Sequence, residues 1–136
     1  AANGQAFCWG RSNAGQLGSG TFSDATTPRP VSAQVPFAAV TAGSVHSCAV
    51  GRDGSSWCWG RNTYGQLGDG TTTDRSVPVQ VRVISRVTSL DAGAAHTCAS
   101  TGARDSYCWG YNVSGQVGRG DRDNSPSPFK VVLPPR

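Results

Sequence analysis

Between residues 45 and 92 short apolar runs alternate with clusters of turn-forming residues. Val45–Val50 reads as one strand. Arg52-Asp53-Gly54-Ser55 follows, and an Asp-Gly pair between two such runs is a strong hairpin signal. Ser56–Gly60 is then the returning strand. A Gly-rich loop from Asn62 to Gly70 and a Thr/Asp turn region come next. Val77–Val83 predicts an edge strand, because Pro78 removes a ladder donor. Val87–Ala92 predicts a further strand.

The pattern then repeats. Cys-Trp-Gly stands at Cys8-Trp9-Gly10, Cys58-Trp59-Gly60 and Cys108-Trp109-Gly110, 50 residues apart each time. The same offset carries Gly15-Gln16-Leu17-Gly18 onto Gly65-Gln66-Leu67-Gly68 and Gly115-Gln116-Val117-Gly118. It also carries Pro28 onto Pro78 and Pro128, His46 onto His96, and Cys48 onto Cys98. A register held without one insertion defines a repeat array, with units of approximately 6–55, 56–105 and 106–136. Four short strands in a 50-residue unit are the content of one propeller blade, and the last unit is expected to be truncated.

Composition agrees with an all-β chain. Gly (18) and Pro (8) make up about a fifth of the 136 residues, against about an eighth in ordinary proteins. Glu and Met are absent, Lys130 is the single lysine and Leu occurs four times. Strong helix formers are thus scarce, which excludes a mainly helical fold. No apolar stretch approaches the roughly 18 residues of a membrane helix, so no membrane partner is expected. The net charge is +4, but the arginines are scattered and form no stripe for nucleic acid.

The pattern Trp59-Gly60-x-Asn62-x-x-Gly65-Gln66-Leu67-Gly68-x-Gly70, then Pro78-x-x-Val81, then Ala92-Gly93-x-x-His96-x-Cys98-Ala99, resembles the regulator of chromosome condensation repeat family. The resemblance spans residues 6–136. Ser12 in place of the Asn of positions 62 and 112, and Val117 in place of Leu, are small departures. The resemblance implies β-propeller blades built of four-stranded antiparallel sheets, in rings that typically have seven blades. It also implies work through a propeller surface, since members act as guanine-nucleotide exchange factors, chromatin binders and bacterial β-lactamase inhibitors.

Cys48 and Cys58 lie symmetrically about Asp53, so a hairpin turning there opposes them across two strands. Cys98 and Cys108 repeat this about Ala103. Opposed strand positions need only a modest adjustment to reach disulfide geometry. A ring this small contributes roughly 2–3 kcal/mol in the chain-entropy model. A metal reading competes, since His46 and Cys48 share a strand face and Cys58 can join them. It supplies only three ligands and lacks the Cys-x-x-Cys spacing of zinc sites. A Cys–His nucleophile pair is a further alternative, but its recurrence in each unit argues against a single catalytic site. Cys8 is left unpaired, the second cysteine of a hairpin whose first strand the chain does not contain. Disulfides place the protein outside the cytosol, extracellular or periplasmic.

Phe7/Trp9, Trp57/Trp59 and Tyr107/Trp109 occupy the strand face opposite the cysteines and are expected to form inter-blade core. His46 and His96 are expected to be structural hydrogen-bonding groups. The glycines of the Gly-Gln-Leu-Gly motif imply tight turns rather than a phosphate loop, because no Gly-Lys-Ser/Thr follows.

Function is then expected in the loops that vary between units. Phe22, Arg61, Tyr64, Asp74, Tyr111 and Arg122 are the candidate partner contacts, aromatics and Arg being enriched at binding hot spots. The leading expectation is a non-catalytic scaffold for a protein partner, with no catalytic residues, cofactor or metal. The alternatives are a carbohydrate-binding or adhesion propeller, or an enzyme-inhibitor or nucleotide-exchange type of propeller. Propellers close with four to eight blades, and the chain holds fewer than three units. The expectation is a piece of a longer repeat protein; the alternative is that copies assemble as a homo-oligomer to complete a ring.

Overall fold

The computed structural model describes residues 1–135. Ten strands and no helix make up the ordered elements among them. They are β1 (Phe7–Gly10), β2 (Ala25–Pro30), β3 (Phe37–Ala42), β4 (His46–Gly51), β5 (Ser56–Gly60), β6 (Arg75–Gln80), β7 (Val87–Ala92), β8 (His96–Thr101), β9 (Ser106–Gly110) and β10 (Ser125–Lys130). Consecutive strands pair antiparallel into three sheets: β1-β2, β3-β4-β5-β6 and β7-β8-β9-β10. Each four-stranded sheet is a meander in sequence order. The sheets therefore run from residue 37 to 80 and from 87 to 130, straddling the sequence units rather than coinciding with them.

The hairpin register is the one the sequence symmetry requires. Cys48 opposes Cys58, with His46 opposite Gly60 and Val50 opposite Ser56. Cys98 opposes Cys108 in the same way. Both pairs are disulfide-bonded, with Cα separations of 4.0 and 4.1 Å. Cys8 is free.

The outer strand differs in placement from the Val77–Val83 expectation. It runs Arg75–Gln80, because Gly60 opposes Arg75 and Trp57 opposes Gln80. Beyond Gln80 the chain leaves the ladder: the Val81 amide donates to Ser56 and the Arg82 amide to Gly68. Pro28, Pro78 and Pro128 all sit within outermost strands, where a missing N–H costs no sheet bond.

The core lies between adjacent sheets. Ala6, Val31, Phe37, Ala49, Trp57 and Trp59 form one cluster between the first and second sheets. Leu67, Val81, Ile84, Val87, Ala99 and Trp109 lead the other, between the second and third. The middle sheet is thus covered on both faces, and every residue of β4 and β5 is buried. The third sheet has one neighbour, and β8 alternates buried and half-buried positions. The aromatic expectation divides accordingly. Trp59 and Trp109 are fully buried, Trp57 is 8% exposed and Tyr107 is half-buried. Trp9 is 61% and Phe7 46% exposed; among the described residues β1 pairs with β2 in a two-stranded sheet.

Candidate functional site

The Gly-Gln-Leu-Gly loop of each blade reaches over to the next one. Two turns fold it: in the second blade the Gly65 amide donates to Asn62 and the Gly68 amide to Gly65. The Gln66 side-chain oxygen accepts from the Tyr64 amide, which aims the Gln66 carbonyl outward. That carbonyl accepts the Trp109 indole N–H at 2.9 Å and the Thr97 hydroxyl at 2.7 Å, both from the third sheet. The first junction repeats this, as Gln16 accepts from Trp59 and Ser47, each at 3.0 Å. Gly68 must be glycine twice over. Its φ is +70°, and a Cβ there would stand 2.6 Å from the Trp109 indole nitrogen. Gly65 presses likewise on Pro126, and the Gly70 amide donates to the Pro126 carbonyl.

Asn62 organises the loop from inside. It is fully buried; its carbonyl oxygen accepts from the Leu67 amide, and its amide group donates to the Thr71 and Thr73 carbonyls. Asn112 does the same for the third loop. Ser12 keeps only the first of these bonds, at 3.3 Å. Burial pushes the Asp69 carboxyl up, but hydrogen bonds from Thr71, Asn62 and Arg75 outweigh it and hold the group below the usual carboxylate range.

His46 closes the same junction from the other side. Thr97 donates its one proton to the Gln66 carbonyl, so it accepts from His46 Nε2–H at 2.8 Å. His46 Nδ1 then carries no proton and has no partner. Burial, and secondarily the charge of His96, push this histidine down to about 4. The His46 ring thus hydrogen-bonds across the junction between the second and third sheets.

The loop residues singled out in the sequence are spread over the surface. Phe22 is 55% exposed, and Arg122 is exposed. Arg61 is half-buried, its amide donating to Val45. The Asp74 carboxylate accepts from the Asn62 amide at 2.8 Å, a bond internal to its own loop. Tyr64 and Tyr111 come together: one leads the second blade's loop, the other the third's, and their ring centroids are 4.6 Å apart. The hydroxyls of Ser47 and Thr97 were not singled out by sequence reasoning. Their shared offset of 50 residues was the available signal. An open cleft of about 410 Å³ runs beside β1, lined by Cys8, Trp9, Arg11, Val40 and Thr41 among others. Among the described residues no group of three His, Cys, Asp or Glu side chains converges as a metal site.

Four-stranded meanders stacked face to face and latched loop to neighbour define a β-propeller repeat protein. The "Regulator of chromosome condensation (RCC1) repeat" matches residues 3–50, 53–100 and 106–136, and a second description of that repeat matches 37–66 and 87–116. The chain belongs to this family. Among solved structures it is similar to Prp20p from Saccharomyces cerevisiae, at 21% identity and a TM-score of 0.85, covering 95% of this chain and 34% of that one. It is also similar to human WBSCR16, at 24% identity and a TM-score of 0.84, covering 94% and 33%. Yeast RCC1 (Prp20) in complex with Kap60 matches at 20% identity and a TM-score of 0.81, covering 95% and 33%. The chain thus spans about a third of the length of these proteins. At such identities the likeness is one of fold. No curated protein sequence matches the chain significantly.

Proposed function

We propose that the chain is a non-catalytic, protein-binding propeller scaffold that works outside the cytosol. The observation that carries this reading is the division of labour between its residues. The Trp59 and Trp109 indoles, the Gln16 and Gln66 carbonyls and the His46 ring are consumed by the junctions, and the Asn62 and Asn112 side chains by their own loops, while the exposed Tyr64 meets the half-buried Tyr111 where two blades join. A rigid aromatic pair on a preformed scaffold suits protein recognition, because it presents contact area at little entropic cost. Two small-ring disulfides support a secreted or periplasmic location. The similar Prp20p is described by its binding to Gsp1p and histones, and yeast RCC1 by its complex with Kap60. A protein partner here is consistent with that usage.

The test is a binding screen of immobilised chain against secreted and periplasmic proteins, hydrolytic enzymes included, with a glycan array alongside. A protein ligand whose binding falls at least about tenfold in Tyr64→Ala/Tyr111→Ala, with melting unchanged, is the expected result. Binding confined to glycans overturns the reading in favour of a carbohydrate-binding propeller.

A further inference from the structure

The linker 81–86, which joins β6 to β7, passes between two hairpin tips. The Arg86 carbonyl accepts from the Gly102 amide, and the Val87 amide donates to the Gly54 carbonyl. Between this linker and the β8–β9 hairpin lies an open cavity of about 370 Å³. It sits where β9 begins, at the end of the sheet remote from Tyr111, and both of its walls are internal to the repeat array. Val83, Ile84 and Tyr107 give it apolar surface, and Ser85 and Thr101 add hydroxyls. The first junction fills the corresponding place. Fifty residues earlier, Val35 stands for Ser85 and Trp57 for Tyr107. Both pack with the core there, and the Trp57 indole donates to the Ser55 hydroxyl at 2.8 Å.

The backbone around this cavity is strained. Val83, Arg86 and Arg104 have φ of +55°, +54° and +64°, and they are the non-glycine residues in the left-handed region among those described. Val83 and Arg86 line the cavity, and Arg104 stands between Ala103 and Asp105, which line it too. For a β-branched residue such as Val83 this conformation is a genuine outlier. Strained positions of this kind gather at binding sites, where the surrounding fold holds them in place. Here the bond of the Gly102 amide to the Arg86 carbonyl and that of the Arg104 amide to the Thr101 carbonyl do so. The first junction avoids the cost, with Gly54 in the place of Arg104 and Pro36 in that of Arg86.

We propose that this cavity binds a small monocarboxylate with an apolar body, its carboxylate paired with the Arg86 guanidinium. Charge selects the ligand. Arg86 has no ion-pair partner among the described residues, whereas the Asp105 carboxylate is neutralised by Lys130 at 2.9 Å. One free guanidinium suits one negative charge, and its fork matches the two oxygens of a carboxylate. A dianion lacks a second counter-charge here, and a cation meets Arg86. The apolar surface takes the body of the ligand, while the Ser85 and Thr101 hydroxyls are the polar groups that orient it. The same chemistry is offered by a free acid and by the C-terminal carboxylate of a peptide that ends in an apolar side chain.

The test is a titration of the 136-residue chain followed by two-dimensional amide NMR. Hexanoate should bind saturably with a Kd of about 5 mM or below, shifting the amides of residues 83–86 and 101–107. Hexanamide and hexylamine should each bind at least about tenfold more weakly, since neither offers a carboxylate to the guanidinium. Gly-Gly-Leu, with its C terminus free or amidated, tells a peptide end from a free acid as the source. Arg86→Gln should weaken hexanoate at least about tenfold. Ser85→Val and Tyr107→Trp bring in the residues of the first junction and should each abolish binding by filling the cavity. Far-UV circular dichroism melting verifies that the variants remain folded, and the hexanamide comparison needs no variant. The proposal is overturned if neither acid gives a saturable shift at about 50 mM, or if hexanamide binds as tightly as hexanoate. Full affinity in folded Arg86→Gln overturns it as well.

Discussion

The indole of Trp109 hydrogen-bonds the main-chain carbonyl of Gln66 across a blade boundary, 43 residues away in sequence. Gly68 lies directly against that indole. Ring, carbonyl and glycine form one unit, and each has its own failure mode. Trp109→Phe keeps most of the apolar contact and loses the donor, for an expected loss of about 1 kcal/mol. Gly68→Ala meets the ring and a disfavoured backbone together, and should cost about 2 kcal/mol or more. Urea unfolding of the two variants should rank them in that order.

His46 makes stability depend on pH. Its folded value, about 4, lies below the ordinary histidine value of 6.5. Between these values the unfolded chain binds a proton that the folded chain refuses. The stabilisation is therefore complete above about pH 6.5 and is lost progressively as pH falls toward 4, by on the order of 3 kcal/mol. His46→Gln should flatten this segment of the profile. Unfolding free energies measured at pH 7 and pH 4.5 on both proteins provide the check; parallel profiles would refute the assignment.

Ser12 is the weak member of its repeat position. It lacks the amide that Asn62 donates to the Thr71 and Thr73 carbonyls. Ser12→Asn should restore this pattern to the first loop, raising stability by about 1 kcal/mol. The reverse change, Asn62→Ser, should lower it by about 1–3 kcal/mol, since buried acceptors lose their partner. Thermal melts of the pair should shift in opposite directions.

The cysteines give a stoichiometric prediction. Denatured, unreduced protein should titrate one thiol per chain, and reduction should expose all five. In the folded state Cys8 should react slowly near neutral pH, because burial pushes its thiol up. Cys98→Ser/Cys108→Ser should destabilise by roughly 2–3 kcal/mol, read from chemical denaturation.

Much of this architecture was legible in the sequence. The offset of 50 residues fixed the repeat, the Asp53 symmetry fixed the hairpin register, and the Cys-Trp-Gly spacing placed the aromatics on one strand face. The outer strand was harder. Val77–Val83 has the β-branched residues, yet the ladder starts at Arg75 because a bulge between Cys58 and Gly60 shifts the pairing. The Tyr64–Tyr111 contact was out of reach, since it depends on how two blades stack and not on spacing within either. Asp74 is a candidate contact from its place in a variable loop. Only the three-dimensional loop reveals the Asn62 amide it accepts from.

The latch at Gly15–Gly20 and Gly65–Gly70 ties each blade to its immediate successor. Cooperativity in such an array is a nearest-neighbour coupling, passed along like tension through links. The middle blade, clamped by a loop on one side and lending its own on the other, should exchange its amide protons last. Protection should fall away toward β1–β2 and β10, so that the molecule opens from its flanks inward. Pulled at its ends, it should give way junction by junction, with Trp59 and Trp109 as the successive points of yield.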